Sequence, residues 1–114
     1  MQQLIEIPPY RRAPRVLWQK AISLAEFPSV SAALQDTDLT LESDECWMVL
    51  SFRGRQFELN APAALIWEFL DQPQRISDVE MIVEDHFECG LAEAKQVVLD
   101  CLATLTSSSL VVHD

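Results

Sequence analysis

The clearest change of pattern in the chain falls between residues 46 and 59. Cys46-Trp47-Met48-Val49-Leu50-Ser51-Phe52 is a nearly unbroken apolar, β-prone run. Arg53-Gly54 reads as a turn, and Arg55 to Leu59 then alternates, with Phe57 and Leu59 on one face and Gln56 and Glu58 on the other. Two such runs separated by a glycine-containing pair predict a β-hairpin. Leu39-Thr40-Leu41, set among charged residues, predicts a further short strand before it.

After the hairpin the period changes to that of helices. Asn60 or Ala61 caps the first, Pro62 suits its first turn, and Ala64, Leu65, Trp67, Phe69 and Leu70 give it a broad apolar face before Asp71-Gln72-Pro73-Gln74 ends it. Ser77 with Glu80 three residues on predicts a capping box for the second, in which Val79, Ile82, Val83 and Phe87 recur at helical spacing and Cys89-Gly90 closes the run. The third is predicted from about Leu91 to Leu105, with Leu91, Ala94, Val98, Cys101, Leu102 and Leu105 on one stripe. Three serines precede a last apolar stretch, Leu110-Val111-Val112.

Residues 1–36 read differently. Ile5-Glu6-Ile7 is strand-like, but Pro8-Pro9 and Arg11-Arg12 interrupt it, and helix pieces are expected on either side of Pro28. We therefore divide the chain into an N-terminal arm or extension, 1–36, and a folded domain, 37–114. The order strand, strand, strand, helix, helix, helix predicts an α+β fold of winged-helix-like type, a small three-stranded antiparallel sheet followed by three helices.

Charge changes the picture of partners. The net charge is −10, from 18 acidic and 8 basic residues. Residues 1–36 are nearly balanced, and the acidity belongs to the rest. Such a surface repels phosphate backbones and anionic membranes and attracts a basic or amphipathic peptide, so neither nucleic acid nor membrane is expected as a partner. No apolar run approaches the ~18 residues of a membrane span. Cys46, Cys89 and Cys101 are odd in number and lie in apolar segments, which points to reduced thiols and a cytoplasmic location.

Residues able to do chemistry do not converge. His86 and Cys89 are three apart, with Cys101 as the nearest third ligand, too few for a metal site. His86 with Asp85 and a serine lacks a nucleophile turn. With only Gly54 and Gly90 present, there is no phosphate loop. The expectation is no enzyme activity, no metal and no cofactor.

The segment RQFELNAPAALIWEFLD, carried by Arg55, Phe57, Leu59-Asn60, Ala63-Ala64, Ile66-Trp67 and Leu70-Asp71, resembles the PqqD-like family, the recognition elements of ribosomal peptide biosynthesis. The later Ile82, Val83, Phe87, Val98, Leu102 and Leu105 are similar too. The resemblance extends from Cys46 to about Leu110. Gln72 and Ser109 stand where family members commonly carry glycine, and the pathway is not assigned to pyrroloquinoline quinone biosynthesis.

The resemblance implies a mechanism. The leader segment of a ribosomally made precursor peptide adds a strand beside Arg55–Leu59 and packs on the third helix, and is presented to a modifying enzyme such as a radical SAM enzyme, a cyclase or a protease. The peptide-binding residues expected on that basis are Arg55, Gln56, Phe57 and Glu58 from the strand, with Lys95, Val98, Leu99 and Leu102 from the helix. Apolar Val97, Leu99 and Ala103 widen that helix beyond the ~100° a core-facing stripe needs. Other readings stay open at this point: a winged-helix transcriptional regulator, a structural subunit of an enzyme complex, and a homodimer.

Overall fold

The computed structural model describes residues 8–36 and 40–113. In chain order the elements are β1 (Tyr10–Arg12), β2 (Leu17–Lys20), a 3-10 turn (Ile22–Leu24), α1 (Val30–Asp36), β3 (Met48–Phe52), β4 (Arg55–Leu59), α2 (Ala61–Phe69), α3 (Ile76–Phe87), α4 (Leu91–Ser107) and β5 (Val111–His113). The class is α+β, with a three-stranded antiparallel sheet in the order β2-β3-β4 and helices against one of its faces.

The hairpin forms where its pattern places it. Met48 pairs with Leu59 and Phe52 with Arg55. Arg53 and Gly54 both take positive φ, 52° and 76°, the two-residue turn whose twist matches the strands it joins. Met48, Leu50 and Leu59 are buried and Phe57 is half-buried, so alternate residues of both strands face the core.

The third strand differs from the one expected. Leu39 lies outside the described residues; Thr40 and Leu41 form no strand, and Leu41 opens a turn. The place beside β3 is taken by β2, which pairs Leu17 with Ser51 and Lys20 with Met48. This register puts Trp18 opposite Leu50. A large aromatic with a core-facing partner outweighs a run in which Thr40 is exposed and Leu41 only half-buried.

The first 36 residues, expected as an arm, contribute to both sheets. β1 pairs with β5, Tyr10 opposite His113 and Arg12 opposite Val111. Tyr10 also exchanges backbone hydrogen bonds with Gln74, at 2.8 and 2.9 Å. Ile5–Ile7 lies outside the described residues, and Arg11-Arg12, expected to end a strand, are inside one. The reason is the destination of Arg12. Its Nε and a terminal nitrogen donate to the carbonyls of Trp67 (2.8 Å) and Glu68 (3.0 Å) in the last turn of α2, which also accept the backbone N–H groups of Leu70 and Asp71. The guanidinium lies 5.0 Å from the Trp67 ring centroid and 5.4 Å from that of Trp18. Burial pulls its pKa down, while Asp71 and Glu68 push it back up.

After Pro28 a helix does form, α1, with Val30, Ala33 and Leu34 buried. It makes a fourth helix beside the three expected. Its first N–H, of Val30, donates to the Glu68 carboxylate at 2.9 and 3.1 Å, so an acidic side chain of α2 meets the positive end of α1. Before Pro28 the 3-10 turn is the only helical piece among the described residues.

α2 itself has no outward face over Ala61–Trp67, all buried. Asn60 caps it, its side-chain oxygen accepting from the Ala63 N–H at 3.2 Å. α3 begins one residue before the expected Ser77 cap, and its backward bond comes from Asp78 rather than Glu80: the Arg75 N–H donates to the Asp78 carboxylate at 3.4 Å. Starting at Ile76 lets that half-buried side chain pack against the core. α4 buries Ala94, Val98, Leu102 and Leu105.

α4 ends in a Schellman motif. The Leu110 N–H donates to the Leu105 carbonyl (2.9 Å) and the Ser109 N–H to that of Thr106 (3.0 Å), with Ser109 left-handed at φ 61°. A side chain there costs about 1 kcal/mol that glycine does not. Ser109→Gly is expected to stabilise the fold by about 1 kcal/mol, raising the melting temperature by about 4 °C. Urea and thermal denaturation check it; an unchanged or lower midpoint contradicts the assignment of strain.

Candidate peptide-binding edge

Among the described residues, β3 is hydrogen-bonded on both sides, whereas β4 has a strand partner on one side only. In a two-residue hairpin the residues flanking the turn form a hydrogen-bonded pair, so Phe52–Arg55, Leu50–Phe57 and Met48–Leu59 are the bonded positions. Gln56 and Glu58 then hold their N–H and C=O groups away from β3, toward the open side. Both side chains are exposed. The strand contains no proline, so each outward N–H is an available donor.

A groove of about 380 Å³ lies between the C-terminal end of β4 and α4. Its apolar parts are Leu59, Ala63 and Leu105, with Cys46 and Cys101. Asp44, Glu58 and Asp100 supply the charge. Thr104 donates its hydroxyl to the Asp100 carbonyl (3.0 Å), which leaves its oxygen able to accept from a guest. Asp100 accepts from the Gln96 side chain at 3.0 Å. The Cys46 thiol donates to the Met48 carbonyl at 3.6 Å.

The residues predicted from the resemblance separate into three groups. Arg55, Gln56, Phe57 and Glu58 are all on β4; three are exposed, and Phe57 is half-buried against the core. Val98 and Leu102 are core residues, 0% and 2% exposed, and offer a guest no surface. Leu99 is exposed, but at 100° per residue it lies about 160° round α4 from Cys101. Lys95 is exposed on that same flank. Only Glu58 of the predicted set lines the groove. Sequence reasoning did not single out Asp100 or Thr104, and it placed Cys101 on the apolar stripe of the helix.

His86 has a structural partner. Its Nδ1–H donates to the Ile82 carbonyl (3.1 Å), and its Nε2 meets the Ser31 hydroxyl, tying α3 to α1. Among the described residues no three of His, Cys, Asp and Glu are gathered to hold a metal, and no helix is long and apolar enough to cross a membrane.

Burial, with a smaller contribution from the Asp100 charge, pushes the Cys101 thiol up to about 11 from an ordinary 9.0. The neutral thiol is therefore favoured in the fold, and that contribution to stability is complete below pH 9 and lost as the pH climbs through 11. Since the thiolate is the reactive species, iodoacetamide should modify Cys101 slowly at pH 8 and increasingly toward pH 11. Mass spectrometry of the native protein measures this; rapid modification at pH 8 contradicts the raised thiol pKa.

Comparison with known proteins supports a relationship. A family model described as Coenzyme PQQ synthesis protein D (PqqD) matches residues 46–111. No curated protein matches the sequence. The fold is similar to the solution structure of the PqqD truncation of Methylobacterium extorquens PqqCD, described as a functional, stand-alone recognition element for ribosomally synthesized and post-translationally modified peptides. The TM-score is 0.62 at 15% identity, over 92% of this chain and 89% of that one. The matched stretch runs from the segment before β3 to the start of β5 and contains the hairpin, the buried α2 and the groove-forming face of α4, and on this ground the chain belongs to the PqqD family.

Proposed function

We propose that this chain is a non-catalytic recognition domain that captures the leader segment of a ribosomally made precursor peptide by strand addition and presents it to a modifying enzyme. The observation that carries the reading is the open edge of β4 running into an apolar groove against α4. Backbone pairing with Gln56 and Glu58 supplies affinity, and side chains seated between β4 and α4 supply selection. Membership of the PqqD family and a fold shared with a peptide recognition element support it. The guest-contacting part of α4 in this proposal is the Cys101–Thr104 face, with Gln56 and Glu58 of β4.

A presenter must hold the guest and the enzyme together, which requires a second surface. The opposite edge of the sheet is β2, where Leu17 is 71% exposed and Trp18 is 40% exposed. We place the modifying enzyme there: it lies across the sheet from the guest, and exposed apolar side chains on an unpaired edge favour association. A winged-helix regulator is disfavoured, because α4 sets Glu93 and Asp100 beside Lys95 and Gln96 and would repel DNA.

Two outcomes test the reading. Proline at 58 removes an outward N–H that β3 does not use, so Glu58→Pro is expected to weaken binding of the cognate leader at least about tenfold. Leu99→Glu, off the groove, should leave binding within about twofold. Isothermal titration with circular dichroism as a folding control reads both; full affinity in the proline variant rejects strand addition at β4. Separately, Leu17→Glu is expected to weaken capture of the enzyme while peptide affinity stays the same, measured by pull-down and titration on one preparation.

A further inference from the structure

We infer that the guest is basic as well as apolar, and that Asp44, Glu58 and Asp100 select a lysine or arginine next to the residue seated in the groove. The inference rests on the strand-addition reading and specifies the chemistry of the guest.

Three of the ten residues lining the groove are carboxylates and none is cationic. They come from three separate elements: the segment before β3, the edge strand and α4. Their floor, Leu59, Ala63 and Leu105, is at most 9% exposed. A guest side chain reaching that floor passes between three exposed carboxylates that line one groove. An acidic guest is repelled there and a basic one gains. The nearest strand cation, Arg55, is three residues up β4 from Glu58, about 10 Å away, roughly one Debye length at 0.1 M salt. It does not neutralise the carboxylate end.

The same geometry fixes a pattern for the guest. In an added strand, alternate side chains point to the same face. One apolar residue enters the groove between β4 and α4, and its neighbours emerge at the rim. A long aliphatic stem ending in a cation suits those rim positions, lying along apolar surface while its head meets a carboxylate.

The test uses a phage-displayed library of random twelve-residue peptides selected on the full chain at 50 mM salt, with parallel selections on Gln56→Pro, which removes an outward N–H and no charge, and on the triple variant Asp44→Lys, Glu58→Lys, Asp100→Lys. Circular dichroism checks that both variants fold. The expected result is a set of peptides lost on the proline variant, enriched in lysine and arginine. Their synthetic forms should bind about tenfold tighter than versions with the basic residues changed to glutamate, and the preference should narrow at 0.5 M salt and reverse on the triple variant. Edge-dependent peptides without basic enrichment would overturn the charge selection and leave strand addition standing. If no peptide depends on the β4 edge, strand addition fails and the inference fails with it.

Discussion

The structure is organised around a helix with no outward side. Seven consecutive residues of α2, Ala61 to Trp67, are buried, so the helix cannot rest one face in water as amphipathic helices do. Other elements must surround it, and its unpaired backbone groups must be met by protein. Asn60 serves the N-terminal end. Arg12, from a strand about fifty-five residues earlier, donates to two carbonyls at the other end while lying against the Trp67 ring. A charged donor to a carbonyl contributes on the order of 1.5–3 kcal/mol, and here it ties β1 to the end of α2. The Trp67 indole N–H finds no acceptor among the described residues. Burial of the large ring and its contact with Arg12 offset that loss.

This arrangement links fold to site. Glu68, in the same turn that Arg12 caps, receives the first N–H of α1. β1 then pairs with β5, which follows the Schellman end of α4. The C-terminal half of α4 is therefore fixed relative to α2, whose cap, Asn60, follows β4 immediately. The groove is the space left between β4 and α4 by these constraints, and its width depends on packing remote from any guest. Rigid placement matters for strand addition, because ordering an edge only on binding would subtract from affinity.

The two edges of the sheet are not equivalent. β4 is flanked by a groove with apolar walls and an acidic rim. β2 leaves Leu17 and Trp18 exposed, without carboxylates in the strand itself. Unpaired edges invite indiscriminate pairing. Charge along one edge and a bulky aromatic on the other give the two edges different chemistry. A half-buried neutral thiol at Cys101 suits the groove, since it adds polarizable surface without a reactive anion.

Much of this was legible in the chain. The hairpin followed from alternation around Arg53-Gly54, α2 from Asn60 and Pro62, and α3 and α4 from apolar residues at helical spacing, because each signal is local and is read within a dozen residues. The family emerged from the ordered stretch 55–71 for the same reason. Which strand lies beside β3, why two arginines belong in a strand, and which flank of α4 faces the open edge were decided only by tertiary structure. A helical stripe states that Val98, Cys101 and Leu102 share a side; it cannot state that neighbouring packing consumes Val98 and Leu102 and leaves Cys101 at the groove. Such facts depend on partners distant in sequence, and the energy that selects them, burial against α2 and capping of its last carbonyls, does not exist until the chain has folded around that helix.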